Sequence, residues 1–189
     1  MARTQPIVFS VLALALTGCV SSQASTTSGG DHSNPISRAE VESAQRAWCS
    51  ALLSLSEAGR KGTDAKALAT GILSTAYNYD RGPVLFKPTL THGAQTFRMD
   101  KRGALAYFVG GDTTYPNDDG FALKDWVSCR PDIRGVVTDG DMAVAMGNVH
   151  FANGKGDKVM VDKTFGYLRQ ADGSLSIVLH HSSLPFSPK

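Results

Sequence analysis

The chain reads as an α+β domain in which N-terminal helices pack on the concave face of a curved antiparallel sheet. Three features lead there. The two long helical periodicities come first, the final third is a series of extended runs, and glycine-bearing turn formers separate those runs. Ser37-Arg38-Ala39-Glu40 is a capping box, with a hydroxyl at the N-cap and a carboxylate three residues on. Behind it Val41, Ala44, Trp48, Ala51, Leu52 and Leu55 recur at helical spacing, and Gly59 and Gly62 bracket the stop. A second amphipathic helix is predicted from Thr63-Asp64 through Leu68, Ile72 and Ala76 to about Tyr79.

The pattern then shortens. Val84 to Leu90 is β-prone, and Pro88 restricts it to an edge or a bulged strand. Gln95 to Met99 is its expected hairpin partner. Lys101 to Val109 reads as a short helix presenting Leu105, Tyr107 and Phe108. Gly110-Gly111 ends it, and a polar loop follows from Asp112 to Gly120. From Phe121 onward the sequence predicts a meander with runs at about 121–137, 142–151, 158–169 and 175–184. Asp139-Gly140, Asn153-Gly154-Lys155-Gly156 and Asp172-Gly173 supply the turns, and Pro131 suggests a bulge in the first run.

The N-terminal end addresses the compartment. Ile7 to Leu16 is an apolar stretch behind Arg3, about ten residues long where a bilayer span needs ~20, so it reads as a signal-peptide core. It closes in Leu16-Thr17-Gly18-Cys19, a match to the bacterial lipobox, in which the cysteine becomes the lipidated first residue. Val20 rather than Asp after that cysteine points to outer-membrane sorting. The expected organisation is a signal peptide over 1–18, a Ser/Thr/Gly-rich tether over 19–35 and one domain over 36–189. The expected location is the periplasmic side of the outer membrane, by a lipid anchor on Cys19. Net charge is only +2, from 19 basic and 17 acidic residues without a basic cluster, which argues against a nucleic-acid partner. Cys49 and Cys129 remain, and the sequence leaves open whether they pair or sit apart as small buried hydrophobes.

The chemistry-bearing residues gather at the C-terminal end, in Leu179-His180-His181-Ser182-Ser183-Leu184-Pro185. On an extended strand His180 and Ser182 share one face while His181 and Ser183 share the other, and a bulge would exchange the faces. An inward His/Ser pair is a polar patch in a core, and such groups require partners. Zinc is the weaker reading. Adjacent His180 and His181 diverge, His32, His92 and His150 lie elsewhere, and no His-x-His, His-Glu-x-x-His or Cys-x-x-Cys spacing exists. A serine hydrolase has no Gly-x-Ser-x-Gly elbow to support it.

A longer set of blocks carries a family likeness. Ser74 to Leu90, Gly103 to Gly111, Gly120 to Lys124, Ala145 to Asn148, Thr164 to Tyr167 and His180 to Pro185 together resemble the iota-class carbonic anhydrases over about residues 40–186. The resemblance implies a cone similar to nuclear transport factor 2 and to the association domain of calmodulin-dependent kinase II, paired into homodimers or higher oligomers. It implies a hydroxyl-lined pocket for CO2 and bicarbonate, working without a metal cofactor, with zinc as the alternative. The family's threonine falls on Thr89, its tyrosine on Tyr107 and its serine on Ser182, with His180 one strand repeat earlier. In that reading Thr89 and Ser182 hold the substrate oxygens, Tyr107 positions water, and His180 relays the proton. The alternative is a non-catalytic binding or oligomerisation module on the same fold.

Overall fold

The computed structural model describes residues 35–188; the signal peptide, Cys19 and nearly all of the tether lie outside the described residues. Helix α1 (Arg38–Lys61) begins at the expected capping box. Ser37 Oγ accepts from the Glu40 amide, and the Glu40 carboxylate accepts from the Ser37 amide at 2.8 Å. Arg169 reaches the same carboxylate at 2.8 Å, and it holds the carboxyl down at about 2, with help from Ser37. Helix α2 (Ala65–Ala76) is capped by Asp64 and stops three residues short of expectation, because Tyr77 turns extended and a short 3-10 turn follows at Asn78–Asp80. Helix α3 (Lys101–Val109) matches its predicted span.

Five strands follow the order β1-β5-β4-β3-β2. They are β1 (Leu85–Lys87), β2 (Trp126–Asp139), β3 (Met142–Asn153), β4 (Lys158–Arg169) and β5 (Leu175–Ser183). The last four form the antiparallel meander the turn formers predict. The sheet is nonetheless mixed and unclosed, since β1 adds to β5 in parallel, with Phe86 opposite His180. This corrects the expected hairpin between 84–90 and 95–99. Gly93–Gln95 is a 3-10 turn, and only the Arg98 amide bonds back to β1, at the Phe86 carbonyl. The reason is Arg98 itself. Its buried Nη2 donates to both carboxylate oxygens of Asp118, at 2.8 and 2.9 Å, which draws the segment toward the 112–120 loop instead of along β1.

Two boundaries also move. Phe121–Leu123 is a 3-10 turn, so β2 begins at Trp126. Pro131 sits in register opposite Val149, tolerated because β2 is an edge strand, and the register shifts fall on either side of it, between Trp126 and Ser128 and between Ile133 and Gly135. Gly147 lies against that kink, where a Cβ would run into the Asp132 carbonyl. Helix α1 buries Val41, Trp48, Leu52 and Leu55 against Ala145, Val149, Phe151 and Phe165 of the sheet. A disulfide between Cys49 and Cys129 joins α1 to β2, with Cα atoms 5.3 Å apart.

Candidate active site

Strand parity decides which end of β5 is chemical. His180 and Ser182 face the core and are buried, while His181 is exposed on the other side. Pairing with β4 sets Ser182 directly across from Lys163 and His180 across from Phe165. Pairing with β1 then lays the Phe86 ring on the His180 imidazole, centroids 4.5 Å apart, and the chain turning past Pro88 delivers Thr89. Thr89 Oγ1 and Ser182 Oγ lie 2.6 Å apart, buried, each the other's hydrogen-bond partner.

Tyr107 enters from α3. Its ring stacks on Phe121 and meets Phe86 edge-on, so the phenol is 5 % exposed. The hydroxyl is buried without a hydrogen-bond partner. Burial pushes its pKa well above the ordinary phenol value, opposed in part by the neighbouring Thr89 hydroxyl and the backbone at Leu90. A cavity of about 100 Å³ opens beside it, lined by Leu90, Asn117, Asp118, Asp119, Phe121 and Lys124, so of the four site residues Tyr107 alone reaches it and Thr89, His180 and Ser182 lie behind its wall. A water takes ~30 Å³ in the liquid, so the space is on the scale of a small anion with a water. Three wider clefts, about 430, 400 and 290 Å³, lie by His150, by Arg46 and by Ala47, and none is lined by Thr89, Tyr107, His180 or Ser182.

His180 is held at both ring nitrogens. Nδ1 meets the Tyr77 hydroxyl at 2.9 Å, and that hydroxyl accepts from Trp48 Nε1 at 2.9 Å. Nε2 meets Lys163 Nζ at 2.6 Å. Burial drives the imidazole pKa well below its ordinary value, and Lys163 and His181 depress it further. Its proton affinity is therefore not the near-neutral one that the bare residue type suggests. Lys163 is depressed in the same direction by burial, and its Nζ sits 4.4 Å over the Trp48 ring. With both His180 nitrogens engaged and Ser182 bonded to Thr89, no serine–histidine nucleophile pair exists here.

The structure thus joins Thr89 to Ser182, places Tyr107 beside Thr89, and sets His180 one repeat along the same strand face. Lys163, Tyr77 and Trp48 were not singled out in the sequence. A signal for Lys163 was present: Val161, Lys163 and Phe165 share one strand parity, so a lysine occupies a core position. Among the described residues no group of three His, Cys, Asp or Glu side chains is placed to hold a metal ion.

Fold and site define a class, a small α+β cone whose sheet interior carries a buried hydroxyl, imidazole and amine cluster. Comparison with known proteins gives the family. Residues 39–184 match the family described as metal-independent carbonic anhydrase. A metal-independent carbonic anhydrase from Nostoc sp. (strain PCC 7120 / SAG 25.82 / UTEX 2576) is 45% identical over 153 residues, covering 80% of this chain and 75% of that protein. The crystal structure of an iota-carbonic anhydrase from a cyanobacterium, complexed with bicarbonate, aligns with a TM-score of 0.80 at 43% identity, over 82% of this chain and 95% of that one. A nuclear transport factor 2-like superfamily protein from Salmonella enterica serovar Typhimurium str. LT2 aligns at 0.50 and 13% identity, over 80% and 92% of the two chains, and shares the fold alone. The chain belongs to the metal-independent carbonic anhydrase family. Its activity is the reversible hydration of CO2 to bicarbonate and a proton, without a metal cofactor.

Proposed function

We propose that CO2 and bicarbonate bind at the Thr89–Ser182 hydroxyl pair beneath Tyr107. The observation that carries this reading is a buried phenol that makes no well-formed hydrogen bond, beside two buried hydroxyls paired with each other. Buried polar groups are paired in the great majority of cases, so an orphan at a cavity is a site awaiting a ligand atom. Each of the two hydroxyls has one proton and two lone pairs, and both turn toward the anion when it enters. The Tyr107 phenol stays protonated across the neutral range and so donates to the water or to bicarbonate.

Hydration forms one O–C bond, shifts a C=O π pair onto oxygen and releases one proton. Hydroxyls fixed around the carbon hold the oxygen that gains charge, and the fold keeps them oriented before the reaction begins. His180 is the proton relay in this scheme, through the hydrogen bonds at its two nitrogens. Stopped-flow CO2 hydration tests the assignment. Ser182→Ala and Thr89→Val should each lower kcat/KM by about 10–10³. Wild-type rates in both variants would remove the pocket from this position.

Location and assembly belong to the same proposal. The apolar run before Leu16-Thr17-Gly18-Cys19, and Val20 after it, support a lipid anchor on Cys19 at the periplasmic side of the outer membrane. The Cys49–Cys129 disulfide suits an oxidising compartment. CO2 crosses membranes and bicarbonate does not, so a periplasmic enzyme converts the gas to a retained anion. Palmitate labelling lost in Cys19→Ser checks the anchor. A homodimer is supported by the outward side of β3, where Met142, Val144 and Met146 are exposed in a row, an apolar patch suited to a second copy. Sedimentation of Met146→Lys should show monomers where the wild type shows dimers.

A further inference from the structure

We propose that Lys163 is a positioning residue for the hydration reaction: as a free amine it holds His180 in the Nε2–H tautomer, and the two form one buried acceptor for the single proton released as bicarbonate forms. The inference rests on the pocket reading above, and its starting point is a donor count. Trp48 Nε1–H donates to the Tyr77 oxygen, leaving the Tyr77 O–H to donate to His180 Nδ1. The imidazole proton then sits on Nε2 and donates to the Lys163 lone pair, 2.6 Å away. Trp48 Nε1, the Tyr77 hydroxyl and both imidazole nitrogens are satisfied along this chain, and the Lys163 amine rests against the Trp48 ring face.

The reverse arrangement leaves gaps. An ammonium at Lys163 donates to Nε2, the ring proton moves to Nδ1 and points at Tyr77, and the Tyr77 proton is left without an acceptor. The ammonium itself would find one nitrogen and the Trp48 ring face for its three protons, and no carboxylate pairs with it among the described residues. Two bases this close cannot both be charged, so the pair holds one proton at most. Burial lowers the proton affinity of both groups, the direction that favours the uncharged pair.

What fills it is the product. Ser182 lies directly across the ladder from Lys163, so bicarbonate at Thr89 and Ser182 sets a negative charge beside the pair and offsets the penalty of a buried cation. Hydration then balances locally: CO2 and water become bicarbonate, and the neutral pair becomes singly positive. Departure of the anion expels the proton. On the inner face Tyr77, at the end of α2, is the titratable group that touches the pair, with Tyr107 of α3 and Tyr167 of β4 behind it; Lys87 of β1, Asp162 of β4 and His181 of β5 lie on the outer face of the sheet, and α1 contributes Trp48.

The 15N resonance of Lys163 Nζ in the full chain, read at pH 7.5 with and without saturating sodium bicarbonate, tests this directly. The expected result is a free amine alone and a protonated Lys163–His180 pair with the anion. An ammonium in its absence, or an unchanged neutral pair at saturation, overturns the proposal. If the Ser182 and Thr89 amides do not respond to bicarbonate either, the pocket reading has failed instead. In kinetics Lys163→Met should lower kcat about tenfold or more, hold KM within about twofold and move the acid limb to lower pH, since the lone buried imidazole binds a proton less tightly than the pair. Lys163→Arg, permanently charged, should not restore the rate, and restoration would show that a cation rather than an amine is needed.

Discussion

Tyr107 separates the two things a buried hydroxyl can do. Its oxygen makes no well-formed hydrogen bond in the fold, so removing it takes away a desolvated group at little cost. Tyr107→Phe should leave the melting temperature unchanged or slightly raised, by no more than about 1 kcal/mol of stability. The same change should cut CO2 hydration by roughly 10²-fold, because the donor is used only when substrate is present. Equal losses of stability and activity would mean the phenol is structural. At this scale the proposed site of Thr89, Tyr107, His180 and Ser182 comes from blocks of sequence with a family likeness, and strand parity alone groups His180 with Ser182, as their shared burial shows. Lys163 was readable in principle from its place between Val161 and Phe165, but residue type argued against it, since lysines are almost never fully buried unless paired. Its partner is an imidazole 17 residues away, and no local pattern announces that.

Secondary elements were legible where the signal is local. The capping box fixed the start of α1, and the turn formers fixed the meander, because each is settled within a few residues. The parallel β1–β5 pairing was not, since it joins strands more than 90 residues apart with no turn between them, and Gln95 to Met99 alternates well enough to pass for a strand until the buried Arg98–Asp118 pair is seen. The disulfide was equally hidden, because pairing depends on Cα separation that spacing does not give. Cys49 and Cys129 are 80 residues apart, so their bond removes a large loop from the unfolded ensemble. Replacing both by Ala should lower stability by about 2–5 kcal/mol in urea unfolding while the folded fraction keeps its activity. The site hangs on β1, α3 and β5, and the bond ties α1 to β2, so a loss of turnover in the folded protein would mean the tie also shapes the pocket.

For the molecule as a whole, the buried amine is a stability liability, and pH exposes it. Lys163 in the unfolded chain binds a proton below about 10.5, whereas in the fold its affinity lies well below that. The unfolded state therefore holds more protons, and stability must fall as pH descends from about 10.5 toward the folded value. His180 adds to the same slope below about 6.5, its ordinary value, because it too is depressed in the fold. Glu40, held at about 2 by Arg169 and Ser37, contributes in the same sense between about 4.5 and 2, discounted for its exposure. Lys163→Met removes the first term. It should melt higher than wild type at pH 7, by about 2–4 °C for each kcal/mol recovered, and its melting temperature should vary less between pH 7 and 10. A lower melting temperature at pH 7 would identify Lys163 as a paired cation that supports the fold. A higher one, together with slower hydration, would show that the core retains an amine at the expense of stability because the reaction needs a place for its proton.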